Sequence, residues 1–384
     1  MKFAHLGDCH LGSWNQPELK ALNFQSFQKA MEACVKEKVD LILITGDLFD
    51  AAYPPIDTLK KTFEEFRKVK ESGIPVFIIA GSHDYSVAGK TFLDVLEKSG
   101  FCTNVAQFEE KNNSIFLIPT HYKNYALYGY PGKKSALDVE EIERIKLQDS
   151  PGLFKILMLH TAIRDAVPNF AIKAVDDKKL PKVDYLALSH LHIHYNKNGK
   201  AYSGPTFPNS LLELEELNYG SFYIFDNGTI KRNDIKLKEV VTISLELSES
   251  IQATNIILEA LSKYSLKDKI VILKLSGILE SGKIADIDFG KIEAYVKSCG
   301  AFVFLKSTTK LHTSLPEIKI DLSDTENLEQ QITKRFKEGN PSRFNIIIPE
   351  LFKALQTEKL EDERTSVFEE RLLAEAKKVI KNEI

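Results

Sequence analysis

Asp8 with His10, Asp47, Ser82, His160, and His190 with His192 are residue types able to bind divalent cations. Each group ends an apolar, largely β-branched run: KFAHLGDCH, VDLILITGD, IPVFIIAGSHD, FKILMLH and VDYLALSHLH. Strands of this kind deliver their last residues to one edge of a sheet, so strand ends carrying Asp, Ser and His are expected to converge on a single metal site. Asp8 and His10 are two apart, which on a strand end puts both side chains on one side. His190 and His192 repeat the spacing, with His194 continuing the row toward solvent. Asp47 follows Gly46 at a turn, where its two oxygens can serve two ions. Taken singly, each residue has a plainer reading, since a Gly-Asp is commonly a solvated turn and a strand-end histidine a hydrogen-bonded edge residue. Together they would demand five independent accidents.

Mixed carboxylate and imidazole donors suit manganese, iron or zinc better than magnesium. Two such ions roughly 3.5 to 4 Å apart activate a water and hold the nonbridging oxygens of a phosphodiester for in-line attack. The leaving oxygen then needs a proton. His83 is the candidate acid, projecting from the opposite side of the turn to Ser82, with Asp84 beside it to hold the ring as a cation; a further metal ligand is its alternative role.

The elements that must position these residues alternate. Leu22, Phe24, Phe27, Ala30, Met31 and Cys34 mark a helical face before a strand at 39–45, and Leu59, Phe63, Phe66 and Val69 mark another before a strand at 74–80. A third helix at 90–99 ends at Gly100. This is βαβα order, which implies an α/β sheet with helices on its faces. Strands at 114–119 and 125–130 are expected to pair, and 221–225 leads into an Asn227-Gly228 hairpin turn. From residue 240, strands at 241–247, 270–275 and 301–306 with helices at 254–264 and 289–298 make a small α+β unit. The polar stretch 315–341 reads as a linker or surface helix. Beyond it Pro349 opens a helix carrying Leu351, Phe352 and Leu355, and Phe368, Leu372, Ala376 and Val379 or Ile380 stripe a second. Two short amphipathic helices bury little alone, so a partner surface and docking on the chain's own body are equally good readings.

With 384 residues, 43% hydrophobic and 27% charged, the chain is long enough for two or three cores. A net charge of −3 carries no global nucleic-acid signature, so DNA contacts must rest on the metal and on local residues. Lys133, Lys134, Arg164, Lys197 and Lys200 are the candidate cations, with Tyr53, Tyr85 and Tyr195 as stacking candidates. No signal peptide or membrane span is visible, and a cytoplasmic location is expected. Cys9, Cys34, Cys102 and Cys299 lack CxxC spacing, and Cys9 is expected to pack inward.

These motifs, in order, resemble the five motifs of the calcineurin-like metallophosphoesterases: Asp8-x-His10, GDLFD from Gly46 to Asp50, GSHD from Gly81 to Asp84, His160, and SHLH from Ser189 to His192. GDLFD followed by Pro54 and Pro55, HDYSVAGKTFLDVLEKSG and DYLALSHLH resemble more narrowly the double-strand-break-repair nucleases, called SbcD in bacteria and meiotic-recombination-eleven nuclease elsewhere. The resemblance is strong over about residues 1–225 and one of layout beyond. It implies a layered metallophosphoesterase β-sandwich at 1–238, a capping domain at 239–314, a linker at 315–342 and a helical segment at 343–384 that binds an SMC-like coiled-coil ABC ATPase of SbcC type. It implies two Mn2+ per subunit. Asp8, His10, Asp47 and His192 would hold one, and Asp47, Ser82, His160 and His190 the other, with His83 and Asp84 protonating the leaving group. The family's asparagine is Ser82 here and its glycine is Ser189; a hydroxyl is the weaker ligand. The implied activity is exonuclease on duplex ends and endonuclease on single strands, as a homodimer. A phosphoesterase on small diesters or phosphoproteins, and a non-catalytic scaffold subunit, are the alternatives.

Overall fold

The computed structural model describes residues 1–84, 91–133, 138–168, 172–314, 334, 343–360 and 365–382. Strands β1 (Lys2–Leu6), β2 (Leu41–Ile44), β3 (Val76–Ile78) and β4 (Thr103–Asn104) run parallel, and the hairpin of β14 (Gly220–Asp226) and β15 (Thr229–Ile235) extends the β1 edge antiparallel. The hairpin turns at Asn227 and Gly228, both at positive φ, as an Asn-Gly turn requires. Parallel strands need crossovers, and helices α1 (Pro17–Lys36), α2 (Ile56–Glu71) and α3 (Phe92–Lys98) lie in the connections. Pro17 opens α1 in the first turn, where its missing N–H costs nothing, and the face it buries carries Leu22, Phe27, Ala30, Met31 and Cys34.

A second sheet has the order β12-β13-β11-β10-β8-β7, from β7 (Thr120–Tyr122), β8 (Tyr125–Tyr130), β10 (Phe154–His160), β11 (Tyr185–Ser189), β12 (His194–Lys197) and β13 (Lys200–Ser203). The two sheets pack face to face. Strand residues alternate sides, so Phe3, Leu41, Leu43 and Phe77 meet Leu127, Ile156, Met158 and Ala187 between the sheets, while Ala4, Leu6, Ile42 and Ile44 meet the helices. Burial on both faces explains why these strands read as unbroken apolar runs. The outer face of the second sheet is covered by β5 (Phe108–Lys111), β6 (Ser114–Leu117), β9 (Ile145–Leu147) and α4 (Asp138–Ile142), which bring Ile115, Leu117, Ile142 and Ile145 onto Tyr128 and Leu157. The expected pairing of 114–119 with 125–130 therefore fails. β6 instead joins β5 and β9, and the edge of β8 is taken by β7.

Beyond them β16 (Val240–Glu246), β17 (Ile270–Leu279) and β18 (Val303–Thr313) form a parallel sheet, crossed by α6 (Ala253–Ser262) and α7 (Phe289–Ser298). Val271, Leu273 and Leu275 face those helices. Ile270 and Ile272, one residue out of phase, pack with Leu305 on Leu19 and Leu22 of α1 and on Leu214 of α5 (Leu211–Leu217). The expected linker at 315–342 lies outside the described residues apart from Lys334. At the C-terminus α8 (Ile348–Leu355), with Pro349 in its first turn, packs against α9 (Thr365–Asn382). Phe352, Leu355, Val367 and Leu373 of this pair stay exposed. No helix among the described residues is long and apolar enough to cross a membrane.

Candidate metal centre

β1, β2, β10 and β11 all end at the same edge of the sandwich, and the residues just past those ends make the site. Asp8, His10, Asp47, His190 and His192 all have positive φ, between 44° and 97°. The expectation that strand pleat puts Asp8 beside His10 is thus corrected: β1 stops at Leu6, and the two side chains converge through left-handed turns. Such a backbone costs a non-glycine residue about 1 kcal/mol or more, and five together form a built feature of the site.

Asp8, His10, Ser82, His160 and His192 come together around Asp47, while His190 joins no donor group among the described residues. Asp47 Oδ2 lies 3.1 Å from His160 Nε2, 3.6 Å from His10 Nε2 and 3.5 Å from Ser82 Oγ, while Oδ1 accepts the His83 backbone N–H at 2.8 Å. Asp8 accepts the His190 backbone N–H on both oxygens at 3.0 Å, and its Oδ1 is 3.8 Å from His192 Nε2 and 3.9 Å from His160 Nδ1. His10 and His192 bring their Nε2 atoms to 3.1 Å of one another. The His190 ring stands at the exposed edge, 5.2 Å between centroids from His160. Gly46 and Gly81 permit this crowding, since a Cβ at Gly46 would lie 2.5 Å from His160 Nδ1 and one at Gly81 would lie 2.2 Å from Asp47 Oδ1.

The outer nitrogens of three rings are fixed by Glu213, which no motif contains, and by Asp50 and Ser189, which the motifs contain without assigning them this role. His10 Nδ1 meets Asp50 Oδ1 at 3.2 Å, His192 Nδ1 meets Glu213 Oε2 at 3.0 Å, and His160 Nδ1 meets Ser189 Oγ at 2.8 Å and the Thr45 carbonyl at 3.1 Å. Backing of this kind leaves Nε2 as the free donor. Glu213 had a local signal: Ser210-x-x-Glu213 has the spacing of a helix start, and the Ser210 hydroxyl accepts the Glu213 N–H at the start of α5. Burial works against charge at His160, yet Asp47 and Asp8 raise its pKa to about 9; His192 is likewise raised to about 9 by Asp8 and Glu213 against burial. Asp47 is buried too, and His160 and His10 hold its carboxyl well below the usual range.

His83 lies beside this cluster, its half-exposed ring edge-on to His10 at 4.7 Å between centroids. Its Nδ1 faces the Asp50 carbonyl at 2.8 Å. Asp84, expected to hold that ring, is turned inward instead. Its carboxylate accepts the backbone N–H of Leu48, Phe49 and Gly81 at 3.0 to 3.1 Å, so it staples the Asp47 loop to the Ser82 loop. Burial and the Asp47 charge push its pKa up to about 6 against the pull of those amides. A second correction concerns His194, expected to face solvent: its ring packs over Gly204, with Nδ1 3.3 Å from Ser221 Oγ and Nε2 buried. Cys9 is buried, as expected.

The candidate DNA cations are already engaged. Lys197 and Lys200 pair with Asp165, Lys133 pairs with Glu141, and the Tyr195 hydroxyl donates to Asp165 at 2.7 Å. Arg164 donates to the Ile172 carbonyl. Tyr53 is exposed with its ring edge-on to Phe92, and Lys134 and Tyr85 lie outside the described residues.

The residues fit a divalent cation. Asp8, His10 and His192 form one donor group and Asp8, Asp47 and His160 another, each with its atoms within 4.8 Å of one another. His160 Nε2 is buried, makes no hydrogen bond of good geometry and has the Asp47 carboxylate 3.1 Å away, an arrangement that a cation between the two would satisfy. A third group, His10, Asp50 and His83, adjoins them.

The calcineurin-like phosphoesterase family model matches residues 1–194, a little over half of the chain, and the chain belongs to that family. Its relatives include the DNA double-strand break repair protein Mre11 of Methanocaldococcus jannaschii, 26% identical over 382 residues that cover 92% of this chain and 94% of that protein. Mre11 of Methanosarcina acetivorans is 24% identical over 352 residues, covering 87% of this chain and 55% of the relative. For Mre11 of Methanococcus maripaludis the figures are 25% over 261 residues, 62% and 68%.

Proposed function

We propose that this chain is a DNA nuclease of double-strand-break repair, a two-metal phosphodiesterase that works with Mn2+. The observation that carries the reading is the convergence of Asp8, His10, Asp47, His160 and His192 in two adjoining donor groups, with the buried Nε2 of His160 3.1 Å from Asp47 Oδ2. Similarity to Mre11 proteins over most of the chain supplies the substrate class. Asp8, His10, Asp47 and His192 would hold one ion and Asp47, Ser82, His160 and His190 the other. The ions would supply Lewis acidity and a water acidic enough to act as nucleophile at neutral pH. His83, its Nδ1 held by the Asp50 carbonyl, leaves Nε2 to deliver a proton to the leaving oxygen.

In this reading residues 1–238 are the nuclease domain, 239–314 the cap, 315–342 a linker and 343–384 the segment that binds an SMC-like ABC ATPase of SbcC type. The exposed Phe352, Leu355, Val367 and Leu373 support that last assignment. The active form is a homodimer acting on duplex ends and single strands. A phosphoesterase on small diesters is the second reading, favoured by the carboxylate pairing of Lys133, Lys197 and Lys200, which leaves fewer free cations for a DNA backbone.

End-labelled linear duplex incubated in Mn2+, in Mg2+ and in Mn2+ with EDTA, beside a small chromogenic phosphodiester, separates the two. The nuclease reading expects duplex degradation in Mn2+ that EDTA abolishes. Cleavage of the small ester alone would replace it with the second reading.

A further inference from the structure

We propose that Ser189 is a positioning residue for the metal centre, its hydroxyl holding the His160 ring so that Nε2 is the donor presented to the cation. The inference rests on the metal reading given above.

His160 and Ser189 are the last residues of neighbouring parallel strands, β10 and β11, and stand opposite one another in register. Thr45 follows the end of β2 in the other sheet. All three are buried, so every polar atom among them must find its partner inside the protein. The Thr45 carbonyl has no hydrogen to give, so the Ser189 hydroxyl donates to it. That donation leaves the Ser189 oxygen with lone pairs only toward the imidazole. At 2.8 Å it can therefore accept a hydrogen from His160 Nδ1, and the same carbonyl stands 3.1 Å from that nitrogen. Both neighbours of Nδ1 are acceptors, which places its hydrogen there and makes Nε2 the lone-pair nitrogen of the neutral ring.

The surrounding shape leaves the ring one orientation. A Cβ at Gly132 would lie 2.7 Å from His160 Cδ2, one at Gly46 would lie 2.5 Å from Nδ1, and one at Gly7 would lie 2.7 Å from the Ser189 Cβ. Backbone thus presses on the ring from two sides and on the serine from a third. Nε2 emerges buried on the side of the donor cluster, 3.1 Å from Asp47 Oδ2. The competing account is that the Ser189 hydroxyl merely ties one sheet to the other through Thr45, which would affect stability alone.

Calorimetric titration of the full chain with Mn2+, with metal-free thermal unfolding alongside, separates these accounts. Ser189→Ala removes the acceptor, and Ser189→Cys fills its space with a much weaker one. Loss of about tenfold or more in Mn2+ affinity at one of two binding events is expected for Ala, with the other event unchanged and Cys intermediate. Wild-type affinity at both events in both variants, whatever their unfolding temperatures, would overturn the proposal and leave only the tie between sheets. If the alanine variant does not fold, the cysteine variant decides by the same criterion. Absence of stoichiometric Mn2+ binding by the unaltered protein would overturn the metal reading itself, a different result from unaltered binding by the variants.

Discussion

The Nε2 atoms of His10 and His192 face each other at 3.1 Å, and the far nitrogen of each ring is held by a carboxylate, Asp50 in one case and Glu213 in the other. Two imidazole lone pairs cannot share that space without a hydrogen or a cation between them. In the metal-free protein the proton that His192 carries, with its pKa raised to about 9, fills the gap. A divalent ion bound there displaces that proton.

Metal binding and pH are therefore linked. His160 and His192 both have pKa values raised to about 9, so a divalent cation bound there would have to expel protons from them at neutral pH. Apparent Mn2+ affinity is expected to rise as pH increases from about 7 toward about 9, with proton release visible as a buffer-dependent enthalpy in calorimetry. For the metal-free fold the sign is opposite. A histidine whose folded pKa lies above the unfolded 6.5 contributes stability that is whole below that value and is lost as pH climbs through about 9. Metal-free unfolding temperature should fall across that interval, and a temperature that rises instead would remove the proton-filled picture of the site.

His83→Ala separates acid from ligand. As the proton donor, its loss should cut turnover by about 10²- to 10⁴-fold while metal content, read by elemental analysis, stays at the unaltered level. A drop in bound metal would instead make His83, with His10 and Asp50, a ligand.

Asp84→Ala should act on stability before chemistry. Three buried amides of Leu48, Phe49 and Gly81 lose their acceptor, a cost of about 3 kcal/mol or more by chemical denaturation. Stability within about 0.5 kcal/mol of the unaltered protein would show that these amides find other partners.

Glu213→Ala removes the carboxylate behind His192 without touching a ligand. Mn2+ affinity at one position is expected to fall by about 10- to 100-fold. Because the Glu213 carboxylate also accepts the Asn209 N–H and the Ser210 hydroxyl at the start of α5, circular dichroism should accompany the titration, and full affinity with a normal spectrum would make the contact incidental.

Deletion of residues 343–384 should abolish capture of a coiled-coil ATPase partner while sparing cleavage of simple substrates. The apolar side chains left exposed on α8 and α9 are what such a partner would cover. Retained capture would place the partner surface elsewhere.

Much of this protein was legible in its sequence. Apolar runs buried on both faces announce parallel strands, and a strand has only one residue at its end, so Asp47, His160 and the His190 pair could be assigned to one edge before any coordinates. Helix periodicity placed α1 and α2 for the same reason, since an apolar stripe must face a sheet. Tertiary structure decided what depends on which loops meet. Asp84 sits beside His83 in sequence but serves the Leu48 and Phe49 amides, because a buried carboxylate goes where the unpaired donors are. Ser189, Glu213 and Asp50 became the backing of three imidazoles only once β2, β10, β11 and α5 were assembled; hydrogen bonds across 29, 21 and 40 residues follow no local spacing, and Ser210-x-x-Glu213 marks a helix start without pointing to His192. The left-handed turns at Asp8, His10 and His192 belong to the same class: Asp and His tolerate positive φ better than most residues but do not demand it, and only the packed site over-determines it.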